Sequence, residues 1–232
     1  MFDEAVTVLE NKKVNAEYLK LVFQSRPLSR NVLPGQFVNL QIEEARGLLL
    51  RRPFSYYRVV GDRIEILYEI LGRGTALLAE KRAGDRLKAL GPLGRPFTQK
   101  LNGRKQILVG GGVGVPPLVF LAETNAPQTA PVFLIGCQSK GEVLPRRELA
   151  RVKSQVRYAT DDGSYGRRGF VTVLLREMLK RENPKSLFIQ TCGPHAMMSA
   201  VMKMAWEFGV DGEASIDERM ACGVGACLGC VV

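Results

Sequence analysis

The spacing of apolar residues changes once along this chain, near Arg95, and that change constrains the fold more than any other feature. Before it, FDEAVTVLE, EYLKLVFQS, GQFVNLQIE, RPFSYYRVV and RIEILYEI alternate apolar with polar residues. Period two puts the apolar set on one face of a strand, and Pro-Gly and Gly-Asp pairs between the segments are turn chemistry. Antiparallel strands closing into a small β-barrel or sandwich are therefore expected, interrupted by one helix, GTALLAEKR. From Lys105 onward, apolar runs alternate with helical patterns: KQILVG, PPLVFLAET, PVFLIGC, ELARVK, VRYAT, FVTVLLREMLKRE, SLFIQTC and AMMSAVMKMAWEF. Repeated β-α of this kind predicts a Rossmann-like parallel sheet with helices on both faces. The Gly- and Pro-rich GPLGRPFTQKLNG between the two textures reads as a hinge. The expected organisation is a β-barrel domain over residues 1–97, an α/β domain over 98–211 and a cysteine-rich segment over 212–232.

At 232 residues, 46% hydrophobic and 24% charged, the chain is long enough for two domains with proper cores. Its longest apolar stretch, Ile107 to Ala122, is too short and too broken by Gly and Pro to span a membrane. The opening MFDEAVTVLENKK is acidic where a secretory signal is basic and then apolar, so a cytoplasmic protein is expected. The formal net charge of +10 is spread over pairs such as Arg51-Arg52, Arg146-Arg147 and Arg167-Arg168. With no basic run and no interleaved aromatics, nucleic acid is not an expected partner.

Three of the five cysteines crowd the C-terminal end, as Cys222, Cys227 and Cys230. C-x4-C-x2-C is the plant-type spacing for a [2Fe-2S] cluster, which takes four thiolates. The glycines of CGVGACLGC suit a loop that wraps a cluster, because they allow positive φ and let N–H groups approach sulfur. A zinc half-site from Cys227 and Cys230, or a plain cysteine-rich turn, is the alternative. Cys137 and Cys192 fall at the ends of predicted parallel strands, where nucleotide is expected, and neither is expected to complete the ligand set.

Three turns of the second half are candidates for dinucleotide contact. Gly111, Gly112, Val113 and Gly114 follow its first strand and open a helix, where bare backbone can approach a pyrophosphate. The run is not G-x-G-x-x-G, so the ordinary fingerprint is absent. Asp161, Asp162 and Gly163 follow the third strand, at a carboxyl end; either carboxylate suits a ribose hydroxyl, and an acidic turn is the plain alternative. Cys192, Gly193 and Pro194 end the fourth strand, with Cys192 either a buried structural thiol or a thiol facing a nicotinamide. His195, the only histidine, reads as a surface residue that starts a helix. Met197, Met198, Val201, Met202, Ala205 and Trp206 recur at helical spacing and predict a core face.

In the first half, Arg52 and Ser55 of RPFS stand at the start of a strand, and Gly74 and Thr75 lie in a G-x-G-T turn beyond LYE. A fixed guanidinium for pyrophosphate oxygens, a small hydroxyl for a flavin ring nitrogen and a turn with backbone free for phosphate together suggest a flavin dinucleotide site.

With RPFS, LYE followed by GRGT, GGGVGVPP, TDDGSYG, TCGP and ERMACGVGACLGC in order, the chain resembles the electron-transfer subunits of NAD-linked, type B bacterial dihydroorotate dehydrogenases. These are members of the ferredoxin-NADP reductase superfamily, and the resemblance runs from the first strands to Val232. It implies FAD contacts at Arg52, Pro53, Phe54, Ser55, Leu67, Tyr68, Glu69, Gly74 and Thr75, with NAD on the three turns of the second half. Cys222, Cys227 and Cys230 are the implied cluster ligands, and Ser55 and Cys192 the groups nearest the reacting rings. Glu69 stands where the family often has a basic residue, which leaves a backbone contact there, and Phe54 where relatives have tyrosine. The implied partner is an FMN-containing catalytic subunit in a heterotetramer of pyrimidine biosynthesis. Electrons from dihydroorotate pass from that FMN to the cluster, to FAD and to NAD+, because a hydride carries two electrons and the cluster one.

The resemblance also supplies a fourth cysteine a dozen or more residues past the third, so the sequence is expected to be a fragment of a longer chain. Related bifurcating reductase subunits carry an aspartate in place of Cys222. A subunit of such a ferredoxin/NADP reductase is the alternative enzyme, and a zinc- or redox-sensing binding protein the alternative of another class.

Overall fold

The computed structural model describes residues 1–42, 47–124 and 131–231. Glu43, the end of GQFVNLQIE, and Val232, the end of the cysteine-rich segment, lie outside them. The chain divides into two compact units, residues 1–96 with 217–232, and residues 97–216.

The first unit contains β1 (Phe2–Lys13), β2 (Tyr18–Gln24), α1 (Arg26–Arg30), β3 (Phe37–Gln41), β4 (Arg52–Ser55), β5 (Arg58–Val60), β6 (Arg63–Glu69), α2 (Arg73–Ala79) and β7 (Arg86–Leu93). The strands form one sheet in the order β4-β3-β7-β1-β2-β6-β5, antiparallel throughout. The sheet curls until Phe54 of β4 meets Tyr68 of β6 edge to face, ring centroids 5.9 Å apart, which makes a half-barrel. Alternation is what closes its core: Val6, Val8, Leu21, Phe23, Ile64 and Ile66 are all buried. RPFSYYRVV is not one strand; the buried pair Tyr56 and Tyr57 turns the chain between β4 and β5.

Strand β7 lies between β3 and β1, yet its last three residues fall in the expected hinge. Its Leu87, Ala89, Gly91 and Leu93 are buried in strict alternation. Pro92 cannot donate to a ladder; it sits where β1 has run out, at Phe2 opposite Gly91, and where the β3 register shifts between Phe37 and Asn39. Proline inside a sheet is confined to such irregular places, so the Gly91-Pro92 that opens the expected hinge marks a bulge.

The second unit contains β8 (Lys105–Gly111), α3 (Val115–Thr124), β9 (Val132–Cys137), β10 (Gln155–Thr160), β11 (Arg167–Arg168), α4 (Val171–Leu179), β12 (Leu187–Cys192), α5 (His195–Phe208) and β13 (Asp211–Ser215). Its sheet is parallel, in the order β11-β10-β9-β8-β12-β13. One face, with Ile107, Val109, Val132 and Leu134, packs on α4 and α5. The other carries α3, whose Leu118 stands over Gly110. Helices therefore lie on both faces, as the β-α alternation requires.

Three expectations need correction. ELARVK forms no helix: Arg146–Leu149 makes a single 3-10 turn after Pro145, because so short a segment cannot repay helix nucleation. Asp211–Ser215 pairs in parallel with β12, so the residues from 212 to 215 belong to the sheet rather than to the cysteine-rich segment; DGEAS has no apolar run to announce a strand. On α5 the core stripe is Met198, Val201, Met204 and Ala205, while Trp206 is 83% exposed. Met202 and Trp206 lie about 100° round the helix from that stripe.

Candidate functional site

In the second unit the strand order reverses beside β8, since β9 lies on one side of it and β12 on the other. Open α/β sheets bind ligands at the carboxyl ends of strands flanking such a point. The turn after β8 and the end of β12 meet there. A Cβ on Gly114 would fall 2.2 Å from the carbonyl carbon and oxygen of Cys192 and 2.3 Å from the Gly193 nitrogen. A Cβ on Gly193 would fall 2.7 Å from the Gly111 oxygen. Backbone therefore packs directly on backbone, and the Thr191 hydroxyl donates to the Val109 carbonyl at 2.9 Å just behind. Gly112 differs: its φ is +52°, and a Cβ there would meet nothing within 4 Å. Val113 beside it is exposed. The two turns singled out in the sequence thus form one rim, Gly111 to Gly114 on one side and Cys192 to Pro194 on the other, with open space over Gly112.

Cys192 is buried at the end of β12, and His195 opens α5 at the surface, as expected. Cys137 ends β9 buried; burial first, then the charges of Glu142 and Asp161, push its thiol up to about 12. At the end of β10 the two aspartates divide. Asp162 accepts from the Ser164 hydroxyl at 2.6 Å and from its N–H at 2.9 Å, which holds its pKa below the ordinary carboxylate value. Asp161 is exposed, with its own N–H spent on the Cys137 carbonyl at 3.1 Å. Gly163 takes φ +78° in the turn between them and Ser164.

In the first unit, Arg52 runs across the start of α2. A Cβ on Gly74 would fall 2.7 Å from its Nε, so bare backbone is required where the guanidinium passes. Arg52 also donates to the Leu50 carbonyl. Its neighbour Arg51 is committed to both carboxylate oxygens of Asp3, at 2.9 and 2.8 Å. Thr75 turns its hydroxyl onto its own loop, accepting from Leu71 and Gly72 N–H groups at 2.9 and 3.2 Å. A cleft of about 500 Å³ opens beside Arg52 and Pro53, lined by residues 47–53 and 217–220. Phe54, Leu67 and Tyr68 point into the core, and the Tyr68 hydroxyl, raised to about 12 by burial, donates to Asn11 Oδ1 at 3.0 Å. Ser55 and Glu69 are half-buried at the ends of their strands. An anchored guanidinium over a bare glycine, beside a cleft with the apolar Leu48, Leu49 and Leu50 in its wall, fits a flavin dinucleotide.

The cysteine loop belongs to this same unit. Cys227 is exposed, while Cys222 and Cys230 are half-buried. The Cys222 sulfur accepts from the Val224 N–H at 3.5 Å. The N–H groups of Cys227 and Val224 and the thiol of Cys227 donate to it and pull the Cys222 thiol down to about 6. Cys222 and Cys227 are thus brought together, while no group of three metal-ligating side chains gathers among the described residues. Three thiols, one already collecting N–H donors, in a loop with positive φ at Gly223 and Gly225, are a donor set that fits an iron-sulfur cluster.

Two features of this unit were not identified from the sequence. The cleft walls at 47–50 and 217–220 come from segments far apart in the chain. Asn39, 1% exposed in the middle of β3, lies directly under Gly223, and neither of its side-chain polar atoms has a partner among the described residues. A polar residue inside the apolar run FVNLQ was the available signal.

Among the described residues no helix is long and apolar enough to cross a membrane. Residues 108–203 match the oxidoreductase NAD-binding domain family. The chain is 37% identical over its full length, and over 88% of the relative, to the electron transfer subunit of dihydroorotate dehydrogenase B (NAD(+)) of Desulforamulus reducens. It is 35% identical to the subunit of the same name of Fusobacterium nucleatum, over 98% of this chain and 88% of that one. Among solved structures, an NADH-dependent reduced ferredoxin-NADP oxidoreductase superposes with a TM-score of 0.83 over 96% of this chain and 79% of its own, at 24% identity. The ferredoxin reductase of carbazole 1,9a-dioxygenase follows at 0.79 over 93% and 70%, at 21% identity. These two likenesses concern the fold alone.

Proposed function

The chain belongs to the family of dihydroorotate dehydrogenase B (NAD(+)) electron transfer subunits, and from that membership we propose that it carries electrons from an FMN-containing catalytic subunit to NAD+. It does so in the cytoplasm, in a heterotetramer of two subunit types. When bound, FAD supplies the conversion between the two electrons of a hydride and the single electrons of a cluster.

The chain's own residues then have separate tasks. Arg52 binds the flavin pyrophosphate through charge-assisted hydrogen bonds, with Gly74 and the Thr75 N–H beside it. Pro53, Phe54 and Ser55 border the flavin along β4, and the Ser55 hydroxyl orients the ring. Leu67, Tyr68 and Glu69 contribute backbone, since the Leu67 and Tyr68 side chains are spent on the core. In the other unit, Gly111, Gly112, Val113 and Gly114 present N–H groups to the dinucleotide pyrophosphate. Asp161 accepts from the ribose, because Asp162 is spent on Ser164 and Gly163 only shapes the turn. Cys192, Gly193 and Pro194 border the nicotinamide, with the Cys192 thiol toward it. Cys222, Cys227 and Cys230 supply three of the four thiolates that a [2Fe-2S] cluster takes.

The single observation that most supports this reading is the meeting of Gly114 with Cys192 and Gly193. Adjacent parallel strands β8 and β12 bring these two turns together, and the bare glycines at their meeting leave backbone N–H groups open to a pyrophosphate. The test is coexpression with the catalytic subunit, followed by iron, sulfide and flavin assay, a visible spectrum and NAD+ reduction by dihydroorotate. The expected complex contains FAD, FMN and a [2Fe-2S] cluster and performs that reaction. A colourless zinc-containing protein, or a complex that couples only to ferredoxin, overturns it.

A further inference from the structure

Strand β3 is buried on both faces: Val38 and Leu40 are 0% exposed and Asn39 between them is 1% exposed. Alternation turns Asn39 away from the face that Val38 and Leu40 share, toward the cysteine loop. A carboxamide carries two N–H donors and an oxygen acceptor, and leaving either end unpaired in a buried place is costly. Neither Nδ2 nor Oδ1 of Asn39 has a hydrogen-bond partner among the described residues. An apolar residue of the same size would serve this position better if it only filled space.

The amide is aimed at the cysteine loop. A Cβ on Gly223 would fall 2.7 Å from Asn39 Nδ2 and 3.3 Å from Leu93 Cδ1, and Gly223 has φ +70°. The loop therefore rests its bare glycine, the residue after Cys222, on the donor end of the amide. Through its backbone Asn39 is paired with Pro53 of the segment that carries Arg52, and with Leu90 of β7. One rigid strand thus connects the flavin segment to the underside of the cysteine loop.

We propose that Asn39 is a positioning residue for the cluster: its buried Nδ2 donates a hydrogen bond to sulfur at the Cys222 side of the loop and so sets the reduction potential. The inference rests on the reading of the three cysteines as cluster ligands. Reduction adds negative charge to the sulfurs, so an N–H directed at them favours the reduced state and raises the potential. The anchored, dry position of the donor makes the effect persistent, because water cannot replace it. Without this bond the amide would remain a buried polar group with no partner.

The test uses the complete two-subunit complex, with flavins and cluster as isolated. Iron and sulfide analysis comes first, and a complex without a cluster overturns the proposed function and this role together. With the cluster present, asparagine labelled with 15N in its side-chain amide is incorporated and the reduced cluster is read by electron spin echo envelope modulation. A 15N coupling is expected, lost in Asn39→Leu. In that variant a redox titration followed by electron paramagnetic resonance should show a potential lower by about 59 mV, which is a tenfold change in the one-electron equilibrium. A cluster-loaded Asn39→Leu with unchanged potential and spectrum overturns the proposal. If Asn39→Leu takes up no cluster, the labelled unsubstituted complex decides, and absence of a 15N coupling there overturns it.

Discussion

The nucleotide rim of the parallel unit and the flavin and cysteine region of the half-barrel are built by opposite means. The rim is backbone against backbone: Gly114 leaves no room for a single carbon between itself and Cys192. The half-barrel region is made from side chains. Arg52 lies across Gly74, Asn39 lies under Gly223 with no hydrogen-bond partner among the described residues, and the cysteines stand half-buried or exposed. A site of the first kind is complete when the sheet folds, and its tolerance is geometric. One of the second kind holds charges and donors ready, and its losses fall on the ligand rather than on the fold.

The sharpest way to break this contrast is Gly114→Ala. A methyl group 2.2 Å from a peptide carbonyl cannot be absorbed by a rotamer change, so the parallel unit should lose about 3 kcal/mol or more, seen as a large drop in Tm. A Tm within a degree of the parent would mean that the rim is not closed. Cys227→Ser should act in the other unit without unfolding it, since Cys227 is exposed. It is expected to abolish dihydroorotate-dependent NAD+ reduction while NADH oxidation by an artificial dye stays near its normal rate, because the dye can take electrons ahead of the cluster. Loss of both activities with intact flavin would move the cysteines from the electron path to the fold.

Arg52→Ala should lower FAD affinity by about an order of magnitude or more, since each charge-assisted bond contributes about 1.5–3 kcal/mol. Retention of stoichiometric FAD through dilution and gel filtration would show that the guanidinium is not a flavin anchor. Gly112→Ala provides the counterpart of Gly114→Ala within one turn. Its Cβ meets no atom, so only the cost of φ +52° remains, about 1 kcal/mol, and the variant should fold. Its effect should appear as a raised KM for NADH with FAD binding unchanged; equal destabilisation of the two glycine variants would erase the distinction. The smallest effects should fall on Cys137, whose thiol burial pushes up to about 12. At pH 8 it stays protonated, and iodoacetamide should label Cys227 and spare Cys137 in the folded protein, read by peptide mass mapping.

Much of this was legible in the chain. Alternation at Val6 and Val8 of β1 and at Ile64 and Ile66 of β6, with the β-α repeat after Lys105, assigns the two textures correctly, because burial of one face imposes its period on the residues, although β2 and the end of β6 bury consecutive residues. The elements that escape that logic are the ones a neighbour creates. DGEAS becomes β13 only because the edge of β12 offers it a ladder, and Pro92 enters β7 only because β1 ends and β3 bulges beside it. On α5 the periodicity is right and its phase is one residue off, so Met204 is buried and Trp206 is not.

The same division holds for the chemistry. Residue type and spacing alone single out the three thiols, the guanidinium of Arg52 and the glycines of the turn after β8 as the proposed site, because thiolate ligation, anion pairing and bare backbone are properties of the residues themselves. Which glycine is indispensable, which aspartate is spent on its own turn and which asparagine waits under the cysteine loop are set by what each one touches. Gly114, Asp162 and Asn39 acquire those roles from Cys192, Ser164 and Gly223. Only the Ser164 contact is local in sequence; chain folding decides the other two, by placing distant backbone within a carbon's width of each partner.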